Sequence, residues 1–191
     1  EGKWINKFKY KGVSIAKAST SKEIKNLIKS VIENLILTGD RKVADENLRA
    51  AYNKFLTLSL DEICIRINVK DLNKYWDLAD GFDTANGTPY HIKAAIKGNE
   101  LLKNLGLDSK YPLTMPYTRV KLFYTIRNKY QIEALCYDSK FPEELKEELG
   151  PDYSKMFKKT VTKLVEDIYE ELSYHMPDMT RDTFVSLDDL C

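Results

Sequence analysis

The feature that most constrains the fold is an apolar series with helical spacing near the start of the chain. Its members are Ile24, Leu27, Ile28, Val31, Ile32, Leu35 and Ile36. Side chains three and four positions apart lie on one face of an α-helix, and that face must be buried against another layer. Thr20 and Glu23 have the spacing of a capping box. Ser19 and Ser21 are competing caps, and Gly39 suits the end of this helix.

Further patterns predict more helices and a small sheet. Helices are predicted over 44–58, 88–104 and 152–174, and a short one after Phe141-Pro142. The buried face predicted for the last helix consists of Met156, Phe157, Val161, Leu164, Val165, Ile168 and Leu172. The helix at 88–104 is expected to have Thr88 as N-cap and Pro89 at its first position. Alternating apolar residues predict a strand over 62–69 and a hairpin built from 119–126 and 131–137. The predicted fold class is α+β: a mostly helical domain with a small antiparallel sheet.

Length and composition are those of one globular domain, with or without a short appended arm. The chain has 191 residues, of which 43% are hydrophobic and 31% charged. No apolar run approaches the roughly 20 residues that span a bilayer, so no membrane partner is expected. The three cysteines lack metal-ligand spacing and are expected to be reduced, with Cys64 and Cys136 in the core. Because the chain opens on Glu1 rather than Met, we expect processing or a longer parent chain.

Charge is unevenly distributed, although the net charge is only +1. Residues 1–30 carry eight lysines against two acidic residues, whereas residues 141–191 carry thirteen acidic residues against six basic ones. This division predicts a basic surface that faces DNA and an acidic surface that faces solvent or a protein partner. Solvated lysines are the alternative explanation, and charge alone does not choose between the two.

Six segments, in collinear order over nearly the whole chain, resemble the thumb of T-even-type bacteriophage family B DNA polymerases. They are KYKGVSIAKASTS (9–21), LSLDEICIRINVKDLNKY (58–75), GTPYHIKAAIKGNELL (87–102), RVKLFYTIRNKYQIEALCYDSKFPEEL (119–145), KMFKKTVTKLVEDI (155–168) and VSLDDLC (185–191). The resemblance implies an arm from the end of the palm over 1–18 and a thumb domain over 19–174. It also implies a mobile acidic tail over 175–191 that resembles a sliding-clamp-binding peptide.

The resemblance implies that the chain grips primer–template duplex DNA, through phosphate and minor-groove contacts, in the cytoplasm of an infected bacterium. Family B polymerases hold two Mg²⁺ ions on palm carboxylates, in a strand motif and an Asp-Thr-Asp hairpin. No such hairpin occurs here, since Asp83-Thr84 is followed by Ala85. The chain is therefore expected to bind no cofactor and to be inactive alone. The remainder of the polymerase (palm, fingers and exonuclease) would be its partner, with a sliding clamp as a further one.

The resemblance also carries DNA-binding roles onto individual residues. These are Lys17, Ser19, Thr20, Asn68, Lys74, Tyr75, His91, Lys93, Lys159 and Lys163. Lys159 and Lys163 share a helical face and can hold phosphates as point charges. Ser19 and Thr20 suit either a phosphate or simple helix capping, and Tyr75 can either contact DNA or pack inward. The clamp-binding role falls on Ser186, Leu187 and Leu190. The aromatic pair of such peptides is missing here, so a frayed acidic tail is the alternative.

Two other classes of function compete with this interpretation. A replisome adaptor that binds proteins and makes no direct DNA contact is favoured by the acidic C-terminal half. An independent enzyme is disfavoured, because no Ser/His/Asp order, metal-ligand spacing or Gly-rich phosphate loop occurs. His91 and His175 also lack cysteine companions.

Overall fold

A three-stranded antiparallel sheet separates two hydrophobic cores, and helices cover both of its faces. The structure is a computed structural model that describes residues 19–179. In chain order its elements are α1 (Lys22–Thr38), α2 (Arg41–Leu56), α3 (Leu60–Ile63), β1 (Ile65–Val69), α4 (Leu72–Trp76), α5 (Tyr90–Asn104), β2 (Thr118–Tyr124), β3 (Ala134–Tyr137), a 3-10 turn (Glu143–Leu145), α6 (Tyr153–Phe157), a π-helical turn (Lys158–Thr162) and α7 (Lys163–Glu171). The predicted α+β class, mostly helical with a small antiparallel sheet, is confirmed.

The strands lie in the order β1-β2-β3, and each neighbouring pair is antiparallel. Side chains alternate along a strand, so directly opposed residues share one face of the sheet. One face carries Ile67, Val120 and Leu122 and packs under α5 in the smaller core. The opposite face carries Phe123 and Leu135, which belong to the larger core. The predicted hairpin of β2 and β3 is confirmed.

Helix α5 lies very close to β3, and a glycine makes this approach possible. Gly98 is buried, and a Cβ atom at this position would lie 2.7 Å from the carbonyl oxygen of Cys136. Only glycine fits there without displacing the helix. The smaller core on this side is completed by buried aliphatic side chains of β1, α4 and α5, namely Val69, Leu72, Ile92, Ala95 and Ile96.

The larger core lies between α1, α2, the last helix and the sheet. Helix α1 buries the predicted residues Ile24, Leu27, Ile28, Val31, Ile32 and Leu35. Ile36, which was predicted on the same face, is 60% exposed instead. Phe55 of α2 and Phe157 of α6 meet edge to face, with ring centroids 5.2 Å apart. Gly39 ends α1 in the left-handed region, at φ 60°, as the sequence predicts.

Of the three caps that the sequence offers for α1, Ser21 is confirmed, and the cap predicted for α5 is wrong. The hydroxyl of Ser21, not that of Thr20, accepts a hydrogen bond from the N–H of Ile24 at 3.2 Å and caps α1. Pro89 stands at the N-cap of α5, while the Thr88 hydroxyl donates to the carbonyl of Ala85 at 2.7 Å. Only the residue directly before the first helical one has the backbone geometry of a cap, so neighbouring hydroxyls cannot serve.

The strand predicted over 62–69 begins later than expected. Residues Leu60–Ile63 form the short helix α3, and the N–H of Ser59 donates to the Glu62 carboxylate at 2.7 Å. This local capping contact wins over the alternating pattern, and β1 begins only at Ile65. The short helix α4 was not predicted either.

The long helix predicted over 152–174 is interrupted by the π-helical turn and ends at Glu171. Leu172, expected on its buried face, is 45% exposed. Beyond it, Tyr174, Met176 and Met179 pack against the larger core. The expected mobile tail over 175–191 lies largely outside the described residues and stays a prediction.

The remaining predictions at the level of the fold concern the cysteines and the membrane. Cys64 and Cys136 are buried thiols, as predicted, and Cys191 lies outside the described residues. Within residues 19–179 no helix combines the length and the apolar character that crossing a membrane requires.

Candidate nucleic-acid interface

Four of the predicted DNA-binding residues lie in one groove. Ser19 and Thr20 precede α1, and Lys159 and Lys163 come from the last helix. The groove has a volume of about 320 Å³. Its other lining residues are Ile65, Thr160, Leu164 and Asp167. Residues far apart in the sequence are thus brought together where α1, β1 and the last helix meet, and we call this site the lysine groove.

The start of α1 gives the lysine groove its hydroxyls. Because Ser21 caps the helix, Ser19 and Thr20 are not needed for capping. The carbonyl of Ser19 accepts a hydrogen bond from the N–H of Arg66 at 2.9 Å, which ties this segment to the outer edge of β1. The first turn of a helix exposes unpaired N–H groups and the positive end of the helix dipole. The groove therefore combines hydroxyl groups and two ammonium groups with a favourable helix dipole.

The π-helical turn keeps both lysines on the groove side. In an α-helix, residues four apart diverge by about 40°, so a long series at this spacing drifts around the axis. The wider π turn removes most of that drift. As a result Phe157, Val161, Val165 and Tyr169, spaced by four, all stay buried. The parallel series Lys159, Lys163 and Asp167 lines the groove.

The charge of the lysine groove is positive. Lys159 and Lys163 are exposed, and within residues 19–179 neither ammonium group forms an ion pair. Asp167 is the acidic residue among those that line the groove. Two exposed ammonium groups against one carboxylate suit a phosphate-bearing ligand.

A second group of predicted residues lies on α4 and α5, which pack against each other. Tyr75 is half-buried against the smaller core, and the Lys74 ammonium lies 5.3 Å from the centroid of its ring. Packing against the smaller core accounts for the buried part of the Tyr75 ring, and its contact with DNA stays a prediction. Lys74 is exposed and Lys93, in the first turn of α5, is half-buried.

His91 also lies in the first turn of α5. Partial burial lowers the pKa of its imidazole below the ordinary value of 6.5, so the side chain is neutral at pH 7. A neutral imidazole can donate a hydrogen bond to a phosphate oxygen but brings no positive charge. Its contribution to binding an anion is therefore smaller than that of Lys159 or Lys163.

Strand β1 connects the two groups. Ile65, at its start, lines the lysine groove, and the strand leads toward α4. Its five residues span about 13 Å, which corresponds to about four base-pair steps along a duplex. Asn68 is exposed, as is Arg66, which shares its face of the sheet. Sequence reasoning missed Arg66, although its alternation with Ile65 and Ile67 would have marked it as a surface cation on this edge.

The other predicted site residues cannot be compared with the structure. Lys17, Ser186, Leu187 and Leu190 lie outside the described residues. Among residues 19–179, no group of three or more His, Cys, Asp or Glu side chains is arranged to hold a metal ion.

Comparison with known proteins does not identify a family for this chain. No protein-family model matches the chain, and no curated protein matches its sequence.

Proposed function

We propose that this chain is the thumb portion of a family B replicative DNA polymerase and grips primer–template duplex DNA. The observation that carries the proposal is the lysine groove, in which Lys159, Lys163, Ser19 and Thr20 meet. Ammonium groups beside a helix N-terminus suit phosphates and read no base identity. Binding of this kind is non-specific and strongly dependent on salt. The thumb would raise processivity without lowering a chemical barrier.

The rest of the polymerase would supply the chemistry. Palm carboxylates on another segment or another polypeptide would hold two Mg²⁺ ions, and a sliding clamp would bind residues 185–191. The complex would work in the cytoplasm of an infected bacterium. These statements rest on the resemblance of the quoted segments, supported by the clustering of the residues to which it assigns phosphate contacts.

The proposal is tested by measuring duplex binding by fluorescence anisotropy at several salt concentrations. We expect the double variant Lys159→Ala/Lys163→Ala to weaken binding equally for all sequences. The slope of log K against log[salt] should become shallower by about two, because two phosphate contacts are lost. The matched control is Lys42→Ala/Lys54→Ala, which removes the same charge from exposed positions on α2.

Two results would contradict the proposal. The first is that the wild-type chain does not bind duplex DNA even at low salt, which would exclude the proposed DNA-binding role. Equal losses in the groove variant and in the α2 control would mean that net charge, and not the lysine groove, drives binding.

A replisome adaptor is the second candidate function. It is favoured by Ile36 and Leu37 at the end of α1, which are 60% and 55% exposed, and by the acidic C-terminal half. Adjacent exposed aliphatic side chains are common in protein-binding surfaces. Under this hypothesis the variant Ile36→Ser/Leu37→Ser would abolish partner binding, and the lysine variants would leave it unchanged.

A further inference from the structure

The loop between α5 and β2 presents apolar side chains to solvent. Tyr117 is 80% exposed and Met115 is 57% exposed, with Pro116 between them. Tyr117 has the highest exposure among the large hydrophobic residues that the structure describes. Its φ of 62° lies in the left-handed region, which residues with side chains rarely adopt. An aromatic side chain held out in a strained conformation points to a contact that residues 19–179 do not make among themselves.

Several hydrogen bonds hold this loop rigidly. The side-chain amide of Asn99 donates to the carbonyl of Thr114 at 2.9 Å, and its oxygen accepts the N–H of Thr114 at 2.7 Å. Both residues are almost completely buried. The Thr118 hydroxyl donates to the Met115 carbonyl at 2.6 Å, and the N–H of Tyr117 donates to the carbonyl of Val69. The loop is thus fastened to α5 on one side and to β1 on the other.

Exposed cationic side chains lie along the part of the chain, from β1 to Lys70, that leads to Tyr117. The hydrogen bond to Val69 places it beside Lys70, which is exposed, and Arg66 is exposed on the same strand. The charge of Asp61 is offset by Lys121, because Lys121 and Tyr137 donate to its carboxylate at 2.7 and 2.6 Å. Asp71, which follows Lys70, remains as an exposed acidic group. Two cations against one anion along this strand and the residues after it favour a polyanion over an acidic or neutral protein surface.

We propose that Tyr117 is a stacking contact for an unpaired base, with Met115 beside it and with Lys70 and Arg66 holding the neighbouring phosphates. Single strands bind in this way to proteins that combine aromatic rings with a cationic track, and the stacking tolerates any base. Because hydrogen bonds already hold the loop backbone, little backbone entropy is lost when the base arrives. This contact does not require the lysine groove, because an unpaired strand is a separate ligand.

The test compares two probes, a labelled oligothymidylate and a blunt duplex, with two variants. Tyr117→Phe keeps the ring, and Tyr117→Gly removes it while suiting the positive φ, so the fold is preserved. We expect Tyr117→Gly to bind oligothymidylate about 5- to 150-fold more weakly than wild type, the range of base–aromatic stacking. Its duplex affinity and thermal unfolding midpoint should be unchanged, and Tyr117→Phe should match wild type on both probes.

Equal affinity of wild type and Tyr117→Gly for oligothymidylate would overturn the inference and leave the loop to a protein partner. The Lys159→Ala/Lys163→Ala variant separates the two proposals. If it loses the duplex and keeps the oligothymidylate, the two contacts are distinct, as proposed. If wild type binds oligothymidylate through Tyr117 but binds no duplex, the duplex grip fails while the stacking contact stands.

Discussion

At the scale of single residues, the Asn99–Thr114 contact shows how one side chain can hold a loop. Asn99 lies within α5, and its side-chain amide forms hydrogen bonds with both the N–H and the carbonyl of Thr114. It takes the place of a backbone partner for these two groups. The Thr114 hydroxyl, by contrast, is buried without a hydrogen-bond partner among the described residues. Hydrogen-bonded and unpaired buried polar groups therefore lie next to each other. Their removal is expected to change the free energy of unfolding in opposite directions.

We expect Asn99→Ala to lower the free energy of unfolding by about 2–4 kcal/mol, because it leaves two buried backbone groups unpaired. Thr114→Val keeps the shape of the side chain and removes the unpaired hydroxyl. Its free energy of unfolding should be unchanged or higher by up to about 1 kcal/mol. Urea denaturation measures both. A marked loss in Thr114→Val would mean that the hydroxyl has a partner, such as an ordered water molecule.

At the scale of elements, the last helix shows what periodicity predicts and what it misses. The apolar residues of 152–174 predict one continuous helix, and most of its buried positions are correct. The π-helical turn was not predicted. Apolar residues spaced by four are compatible both with a regular α-helix and with an α-helix that contains one extra residue in a π turn. Packing against α1 decides between them, since only the wider turn keeps Tyr169 buried together with Phe157.

Deletion of Thr160 should convert the π-helical turn into regular α-helix. Phe157, Val161, Val165 and Tyr169 then still face the core, so the free energy of unfolding should stay within about 1.5 kcal/mol of wild type. The two groove lysines would be three residues apart and diverge by about 60°, so affinity for duplex DNA should fall. Circular dichroism with urea denaturation and anisotropy measure the two effects.

Deletion of Glu166 is the matched control for this experiment. It removes one residue from the regular helix α7 and rotates the buried Tyr169 by about 100° out of the core. The expected loss is about 3–5 kcal/mol, similar to truncation of a buried aromatic residue. If both deletions destabilise equally, the extra residue of the π-helical turn is needed for packing and does not serve the groove.

At the scale of the whole molecule, one sheet serves two cores. Alternate residues of β2 and β3 enter the smaller core under α5 and the larger core among the other helices. Loss of either core would therefore expose one face of the same strands. We expect the two cores to unfold together, in one cooperative transition.

This prediction can be tested with Trp76, whose indole N–H donates to Glu100 at 2.7 Å at the smaller core. In a Trp4→Phe variant it is the sole tryptophan of the chain. Its fluorescence and the far-UV circular dichroism should show the same urea midpoint, with wild-type dichroism as the control for the substitution. A fluorescence transition at lower urea would show that α4 and α5 open as a separate unit.

The sequence by itself determined the features whose physics is local. The buried face of α1, the stop at Gly39, the β2–β3 hairpin and the α+β class follow from periodicity and turn chemistry within short windows. The family resemblance singled out Lys159, Lys163, Ser19 and Thr20 as separate positions. Their meeting in one groove was not readable from spacing, because they lie about 140 residues apart in the chain.

Tertiary structure decided everything that depends on which elements pack together. It selected Ser21 over Thr20 as the cap, and the hydrogen bond from Arg66 to Ser19 then brought the preceding residues to the edge of β1. It inserted the π-helical turn that aligns the groove lysines, and it fixed Tyr117 in an exposed, strained conformation. The reason is energetic: burial in a shared core outweighs the small local differences between alternative caps and helix geometries.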